Sequence, residues 1–372
     1  MAEKKLGTYD RLLESIKPSS QLYPELGNVC ARLDELSCSD LNSVLIAMSA
    51  ARAEKVSARD VITGNKFTKE SGVNPRDIWE VEGLFYADTE LEFIDLSPVQ
   101  PFGINTLLTG TSEKKIIPGL RGTEVNADPT TAIFRIAYGR FLNGDGDDIR
   151  LASNSRSVRA QNFGDGSRLL QHFKTFSEVT VGEQGKRFGE REVEAIIKHL
   201  VYESDCIDKV VGPENSIVLV SNLIFTRELQ RQGRLDVERL LGRMREYNRG
   251  DYIGKGSISL GDLLKDSGVL DELDITSGRK IMELFVDKLS QIAPDYLPRV
   301  KVDLSRVAGK DYYRHICYKI IGVDKDGEPF PLADGGSTDW TQRLNSNKQT
   351  FTVASGVGTE LMAKHFIKVG KK

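Results

Sequence analysis

Leu41, Val44, Leu45 and Met48 recur at the spacing of one helix face, and Ser39 or Asp40 stands where it can accept the first backbone N–H groups. Residues 9–54 keep this texture, so residues 1–84 are expected to form a helical N-terminal region. From about Glu92 the pattern turns to short β-rich runs broken by Pro and Gly: Phe93 to Leu96, Ile149 to Leu151, Ser157 to Ala160 and Phe176 to Val181. Between Glu190 and Ala293 the helical period returns, with Val193, Ile196, Ile197 and Leu200 on one face, Val237, Leu240, Leu241 and Met244 on another, and Ile281, Leu284, Phe285 and Leu289 on a third. After Pro298 strands resume at Val300 to Leu304, Tyr312 to Ile321 and Phe351 to Ala354, with a Gly327-Glu328-Pro329 turn between the second and third. The pattern predicts an α+β protein in which residues 85–190 and 296–372 build one sheet around an inserted mixed α/β module at 191–295. No internal repeat is present, which argues against a solenoid.

Composition narrows the function classes. Within the 372 residues no apolar run approaches the ~20 needed to span a bilayer, and the first ten residues are charged rather than signal-like, so a cytoplasmic protein is expected. The 51 basic and 54 acidic side chains nearly cancel, leaving no global field to attract nucleic acid. Cys30, Cys38, Cys206 and Cys317 contain no CxxC pair, and His172, His199, His315 and His365 are as dispersed, so neither a disulfide framework nor a metal site is expected.

Several constellations carry candidate chemistry. Asn143-Gly-Asp-Gly-Asp-Asp148 resembles the start of a calcium loop, but Asp148 replaces the glycine of its sharp turn and Asn154 its bidentate glutamate, so a solvated hairpin turn is expected. Arg156, Arg159 and Arg168 bracket a polar loop, Asn162 to Ser167, and could aim planar guanidinium groups at a carboxylate or phosphate. In Asn126-Ala-Asp128-Pro129-Thr130-Thr131 an acid and a threonine precede a helix: Asp128 can cap it, or accept hydrogen bonds from an ammonium group. Asp311-Tyr312-Tyr313 is expected to open a strand, with alternation sending one tyrosine to each face. Ala333 to Asp339 is expected as a glycine-rich turn, and Gly356-Val-Gly358 as a strand-to-helix junction.

Taken in order, these segments resemble a known set of motifs. Pro98 stands where the first carries a dimer-interface proline. Asn126-Ala-Asp128-Pro129-Thr130 is similar to Arg-Pro-Glu/Asp-x-Thr, Val158-Arg159-Ala-Gln161 to Phe-Arg-x-Glu, and Gly309-Lys-Asp311-Tyr312-Tyr313 to Arg-Gly-Leu-Asp-Tyr-Tyr. Asp334-Gly335-Gly336-Ser-Thr-Asp339 is similar to Gly-Gly-Arg-Tyr-Asp, and Gly356-Val-Gly358-Thr-Glu360-Leu361 to Gly-x-Gly-x-Glu-Arg. The set resembles the catalytic core of class II aminoacyl-tRNA synthetases, specifically histidyl-tRNA synthetase and its paralogue, the regulatory subunit of ATP phosphoribosyltransferase.

The resemblance implies a class II antiparallel sheet flanked by helices, in a homodimer. It implies that Asp128, Thr130, Tyr312, Tyr313, Gly335 and Gly336 contact a substrate, joined by Glu178 if the loop before it is one residue longer. It also implies that Arg159, Gln161, Arg168, Gly356 and Gly358 contact a nucleotide, Arg159 and Arg168 being catalytic, with ATP and Mg²⁺ as cofactors if the pocket is active. Val218 to Gly233 would start the inserted domain.

The departures redirect this expectation. Ala308 and Leu361 replace two arginines that would stabilise polyphosphate and transition state, Ser337 and Thr338 replace an Arg-Tyr pair, and Lys174 replaces a pocket glutamine. Only residues 359–372 follow Gly358, too few for an anticodon-binding domain. The expectation is a synthetase paralogue that binds an amino acid or nucleotide-like small molecule in a regulatory or atypical role, does not charge transfer RNA, and has a protein partner as a further reading. The alternative is an ATP-dependent ligase that forms an acyl-adenylate and passes it to a small acceptor or carrier protein, with Arg306 replacing the lost arginine.

Overall fold

Ser37 rather than Ser39 or Asp40 starts the first described helix: its Oγ accepts from the Asp40 N–H at 3.2 Å, and α1 runs over Cys38–Ala53. Ser57 and Asp60 form a reciprocal capping box at the start of α2, Ala58–Thr63, which satisfies two of the N–H groups a helix start leaves open. In the computed structural model the described residues are 33, 35–87, 91–161, 171–185, 189–231, 257–259, 276–303, 306 and 309–367. They divide into one unit of Met1–Gly64 with Gly119–Thr123, which holds α1 and α2, and a larger one of Asn65–Pro118 with Glu124–Lys372.

The larger unit takes in more than the sequence pattern assigned to the sheet. Helix α3, Pro75–Phe85, falls within the expected N-terminal region, yet it buries Ile78, Val81 and Phe85 in the core of this unit. Its strands are β1 (Glu92–Phe93), β2 (Val99–Pro101), β3 (Thr123–Val125), β4 (Asp148–Val158), β5 (His172–Glu183), β6 (Ser216–Asn222), β7 (Ser257–Ser259), β8 (Val300–Asp303), β9 (Ile316–Val323), β10 (Pro329–Thr338) and β11 (Thr350–Val357). Its other helices are α4 (Ile104–Thr109), α5 (Pro129–Asn143), α6 (Glu190–Val211), α7 (Leu223–Arg231), α8 (Thr276–Ile292), α9 (Trp340–Asn345) and α10 (Thr359–His365).

Nine of the described strands form one mixed sheet in the order β1-β4-β5-β11-β10-β9-β6-β8-β7, and β2 pairs with β3 in a small second sheet. The middle of the large sheet is antiparallel, while β1–β4 and β6–β8 are parallel. Helices α6 and α8 and strands β6 and β8, the first three of them expected in an inserted module, belong to this unit, and β6 lies inside the sheet between β9 and β8. The expected face Val237, Leu240, Leu241 and Met244 lies outside the described residues.

Register decides what shares a face. Ser153 pairs with Ser177, Ser177 with Gly356, Gly356 with Asp334, and Asp334 with Lys319, so these five form one row across five strands. Because side chains alternate along a strand, Phe173, Thr175, Ser177 and Val179 of β5 face the side covered by α5. There Leu151, Val179 and Ala354 pack against Ile133, Phe134 and Trp340. Lys174, Phe176, Glu178 and Thr180 face the opposite side, where Phe176 joins a core with Phe85, Ile196 and Leu200 from α3 and α6.

Three expected local structures are replaced. Asn143–Asp148 is the exit of α5 into β4, with Gly144 at φ 79° as the helix cap, not a hairpin turn. Residues 333–338 are the interior of β10, not a turn: a Cβ at Gly335 would stand 2.5 Å from Tyr318 Oη, and one at Gly336 2.6 Å from Cys317 Cβ, so the glycines answer close cross-strand packing. Tyr312 and Tyr313 precede β9 in a turn opened by Gly309 at φ 77°, whose carbonyl accepts from both tyrosine N–H groups.

Candidate functional site

Pro129 sets the first turn of α5, since its fixed φ suits that position and its missing N–H costs no hydrogen bond there. This places Asp128 at the N-cap, where Oδ1 accepts from the Thr130 N–H at 3.2 Å and from Thr130 Oγ1 at 2.6 Å. Tyr312 reaches the same point from the turn before β9: its hydroxyl lies 2.8 Å from Thr130 Oγ1 and donates to Asp128 Oδ2 at 3.4 Å. Burial, and then the charge of Asp128, push the Tyr312 phenol well above its ordinary range, so it stays a protonated donor at neutral pH.

Arg159 follows the end of β4. Its Nε donates to the Ala127 carbonyl at 2.9 Å, its Nη2 stands 3.5 Å from Asp128 Oδ2, and its guanidinium lies over the Phe173 ring at 5.4 Å. Asp128 and Arg159 are partly exposed, with 17% and 39% of their side-chain surface accessible. A carboxylate and a guanidinium therefore sit side by side in a partly open site, flanked by two hydroxyls. A carboxylate so placed can accept from a cation, and a guanidinium can donate to a carboxylate.

A second acid–arginine pair lies on the same face. Arg306 is buried, donates to the Tyr318 carbonyl at 3.0 Å and to Asp334 Oδ1 at 2.7 Å, and has the Tyr313 ring 5.4 Å away. The Tyr312 and Tyr313 rings meet edge-on at 4.7 Å, and Tyr312 packs edge-on against buried Trp340 at 5.4 Å. The two tyrosines thus link the pairs Asp128–Arg159 and Asp334–Arg306.

Not every expected residue joins this cleft. Glu178 is fully buried on the opposite face, where Arg150 Nε donates to its Oε1 and His199 Nε2 stands 2.9 Å from the same oxygen. Continuous β4–β5 pairing explains the change of face: the expected one-residue loop offset moves a side chain to the other side of the sheet, and Ser177, not Glu178, faces the cleft. Gly335 lies on the Glu178 face against Tyr318, and Gly336 packs on Cys317. Gly356 shares the Ser177 face of the sheet. Gly358 precedes α10 and donates its N–H to the Leu332 carbonyl at 2.8 Å. Gln161 is half-buried three residues beyond the end of β4, Leu361 is half-buried against the core, and Arg168 and Ala308 lie outside the described residues.

The Glu178 face holds a polar network that sequence reasoning missed. His199 Nδ1 lies 2.9 Å from Ser355 Oγ and its Nε2 2.8 Å from Thr180 Oγ1, while Tyr318 donates to Glu203 Oε2 at 2.7 Å. Burial alone would raise the Glu178 carboxyl, but His199 and Arg150 outweigh it and hold it down at about 2. Burial, reinforced by the charge of Glu178, lifts Glu203 to about 8. A signal was available: Glu192, His199 and Glu203 fall on the apolar face of α6, among Ile196 and Leu200, where polar residues need internal partners.

The fold is that of the catalytic domains of class II aminoacyl-tRNA synthetases. Solved structures that share it include an ATP phosphoribosyltransferase regulatory subunit/histidyl-tRNA synthetase from Bacillus halodurans, at TM-score 0.62 and 14% identity over 82% of this chain and 83% of that one. Histidyl-tRNA synthetase from a Nostoc species matches at TM-score 0.58 and 12% identity, over 81% of this chain and 74% of that one. A histidine–tRNA ligase subunit from Alicyclobacillus acidocaldarius matches at TM-score 0.55 and 16% identity, over 81% and 96%. No protein-family model and no curated protein sequence matches the chain. Among the described residues no helix is long and apolar enough to cross a membrane.

Proposed function

We propose that the cleft binds an amino acid by its ammonium and carboxylate groups and that the protein acts in a regulatory or otherwise atypical role rather than in charging transfer RNA. The observation that carries this reading is the meeting of Asp128, Thr130, Tyr312 and Arg159, drawn from the start of α5, the end of β4 and a distant turn. Likeness to a regulatory subunit of ATP phosphoribosyltransferase supports the regulatory half. Leu361 supports it too, since an apolar side chain half-buried against the core supplies no charge to a polyphosphate.

Among the described residues no group of three His, Cys, Asp or Glu side chains comes together; a nucleotide-bound Mg²⁺ is ordinarily held by one or two carboxylates and the phosphates themselves, so ATP and magnesium belong to the ligase reading, in which Arg159 beside Asp128 would face the nucleotide. The ligase reading is kept alive by Arg306, whose guanidinium lies beside Tyr313 on the cleft face. Pyrophosphate exchange, run with each amino acid, separates the two. The regulatory reading expects ligand-induced thermal stabilisation by an amino acid without exchange. Exchange at about 1 s⁻¹ or faster, an ordinary enzymatic turnover, would establish the ligase reading instead.

A further inference from the structure

The turn that presents Tyr312 to Asp128 precedes β9, and its backbone is satisfied in an unusual way. The Gly309 carbonyl accepts from the Tyr312 and Tyr313 N–H groups, and the Arg314 N–H donates to the Ser337 carbonyl at 2.8 Å. The carbonyls of Lys310, Tyr313 and Arg314 are met by a side chain instead of a strand. Arg227 of α7 donates through Nη1 to the Arg314 carbonyl at 2.7 Å, and through Nη2 to the carbonyls of Lys310 at 2.6 Å and Tyr313 at 2.9 Å. Three acceptors converging on one guanidinium suit its rigid planar fork, which the single ammonium of a lysine does not reproduce.

Helix α7 meets the same turn a second time. Leu223, four residues before Arg227 and so on the same helix face, is buried with Tyr313 and Cys317, and Tyr312 packs on that cluster. The Leu223 N–H also donates to the His315 carbonyl at 2.9 Å. Arg343 of α9 reaches the turn more loosely: it donates to the Asp311 carbonyl at 3.3 Å while also serving the carbonyls of Leu107 and Leu108 and the Asp339 carboxylate.

The consequence lies at the far end of Tyr312. Its hydroxyl stands 2.8 Å from Thr130 Oγ1 but 3.4 Å from Asp128 Oδ2, near the limit of a hydrogen bond, so a displacement of about half an ångström is enough to lose the second contact. Arg227 is exposed, so water can take over the three carbonyls once the guanidinium is gone; its loss releases the turn and not the fold.

We propose that Arg227 is a positioning residue for the cleft: it fixes the turn at 309–315 so that the Tyr312 hydroxyl stands at Asp128 and Thr130, and it acts on a ligand through Tyr312. Its effect on ligand affinity rests on the amino-acid reading above; its hold on the turn does not.

Hydrogen exchange of the full-length, unliganded protein tests the hold. In Arg227→Gln the amides of Tyr312 and Tyr313 should exchange at least tenfold faster than in wild type, with those of β9 unchanged. Equal protection of the two tyrosine amides in wild type and variant overturns the clamp. Calorimetry with the twenty standard amino acids tests the consequence. Arg227→Gln should cost at least tenfold in affinity for whichever of them binds wild type most tightly. In a Tyr312→Phe background the same change should cost less than threefold, because the hydroxyl it positions is already absent. A tenfold loss in both backgrounds overturns action through Tyr312. Arg227→Lys, the milder change, keeps the charge but not the fork and should resemble Arg227→Gln; wild-type affinity and protection in the lysine variant would assign the effect to charge and overturn the proposal. A wild type that binds none of the twenty overturns the amino-acid reading, while exchange still decides the clamp.

Discussion

Arg159 and Glu178 were expected to share one pocket, and the structure gives them opposite duties. Arg159→Ala removes a partly exposed guanidinium next to Asp128, so ligand affinity should fall by about tenfold or more, less than the ~2–5 kcal/mol typical of a fully buried pair. The melting temperature without ligand should stay nearly unchanged, and equal ligand-induced shifts in wild type and variant would remove Arg159 from the site. Glu178→Gln strips a buried charge from Arg150 and His199, which should destabilise the unliganded protein by roughly 3–5 kcal/mol in denaturant titration. Glu203 supplies the pH dependence. Its carboxyl is raised from an ordinary 4.5 to about 8, so the folded state holds a proton that the unfolded chain releases. Its contribution is complete below pH 4.5 and is lost as pH rises toward 8. Glu203→Gln should therefore gain stability over wild type progressively between those limits; a difference that does not change with pH would contradict the burial of a protonated acid.

At the scale of an element, α5 combines capping with recognition. Asp128→Asn keeps an N-cap acceptor and should leave stability within a few tenths of a kcal/mol, while Asp128→Ala loses the cap at ~1 kcal/mol. Both should weaken amino-acid binding, because both remove the charge; if Asp128→Asn binds as wild type does, the residue serves the helix alone. In β10, Gly335→Ala forces a methyl to 2.5 Å from Tyr318 Oη and 2.6 Å from Ser355 Cβ, an overpacking expected to cost about 1–3 kcal/mol in unfolding experiments.

For the whole molecule, the likeness to class II synthetases leads us to propose a homodimer built around Pro98. Next to it in the chain Val99 and Phe102 are exposed, as is Leu107 on α4, apolar surface of the kind a partner subunit covers. Sedimentation at micromolar concentration should give twice 41.4 kDa, and Phe102→Asp should shift it toward the monomer without lowering the melting temperature of the dilute protein. A wild type that sediments as a monomer over that range would contradict the proposal.

What the linear order determined was local or read from motifs. The Asp128 cap followed by Pro129, the strand at Phe176 to Val181, the helix carrying Val193 to Leu200 and the turn at Gly327 all follow from propensities that act within a few residues. The order of motifs was enough to reach the synthetase-like fold and to single out Asp128, Thr130, Arg159 and Tyr312, which stand next to one another in the structure. Tertiary structure alone decided which side of the sheet each residue faces, because a single-residue shift in a strand of period two exchanges the faces completely. That is why Ser177 and not Glu178 reaches the cleft, why Arg306 and Asp334 pair across 28 residues, and why β6 lies within the sheet. None of these depends on local preference: strand register sets the faces and the place of β6, and the fold brings Arg306 to Asp334.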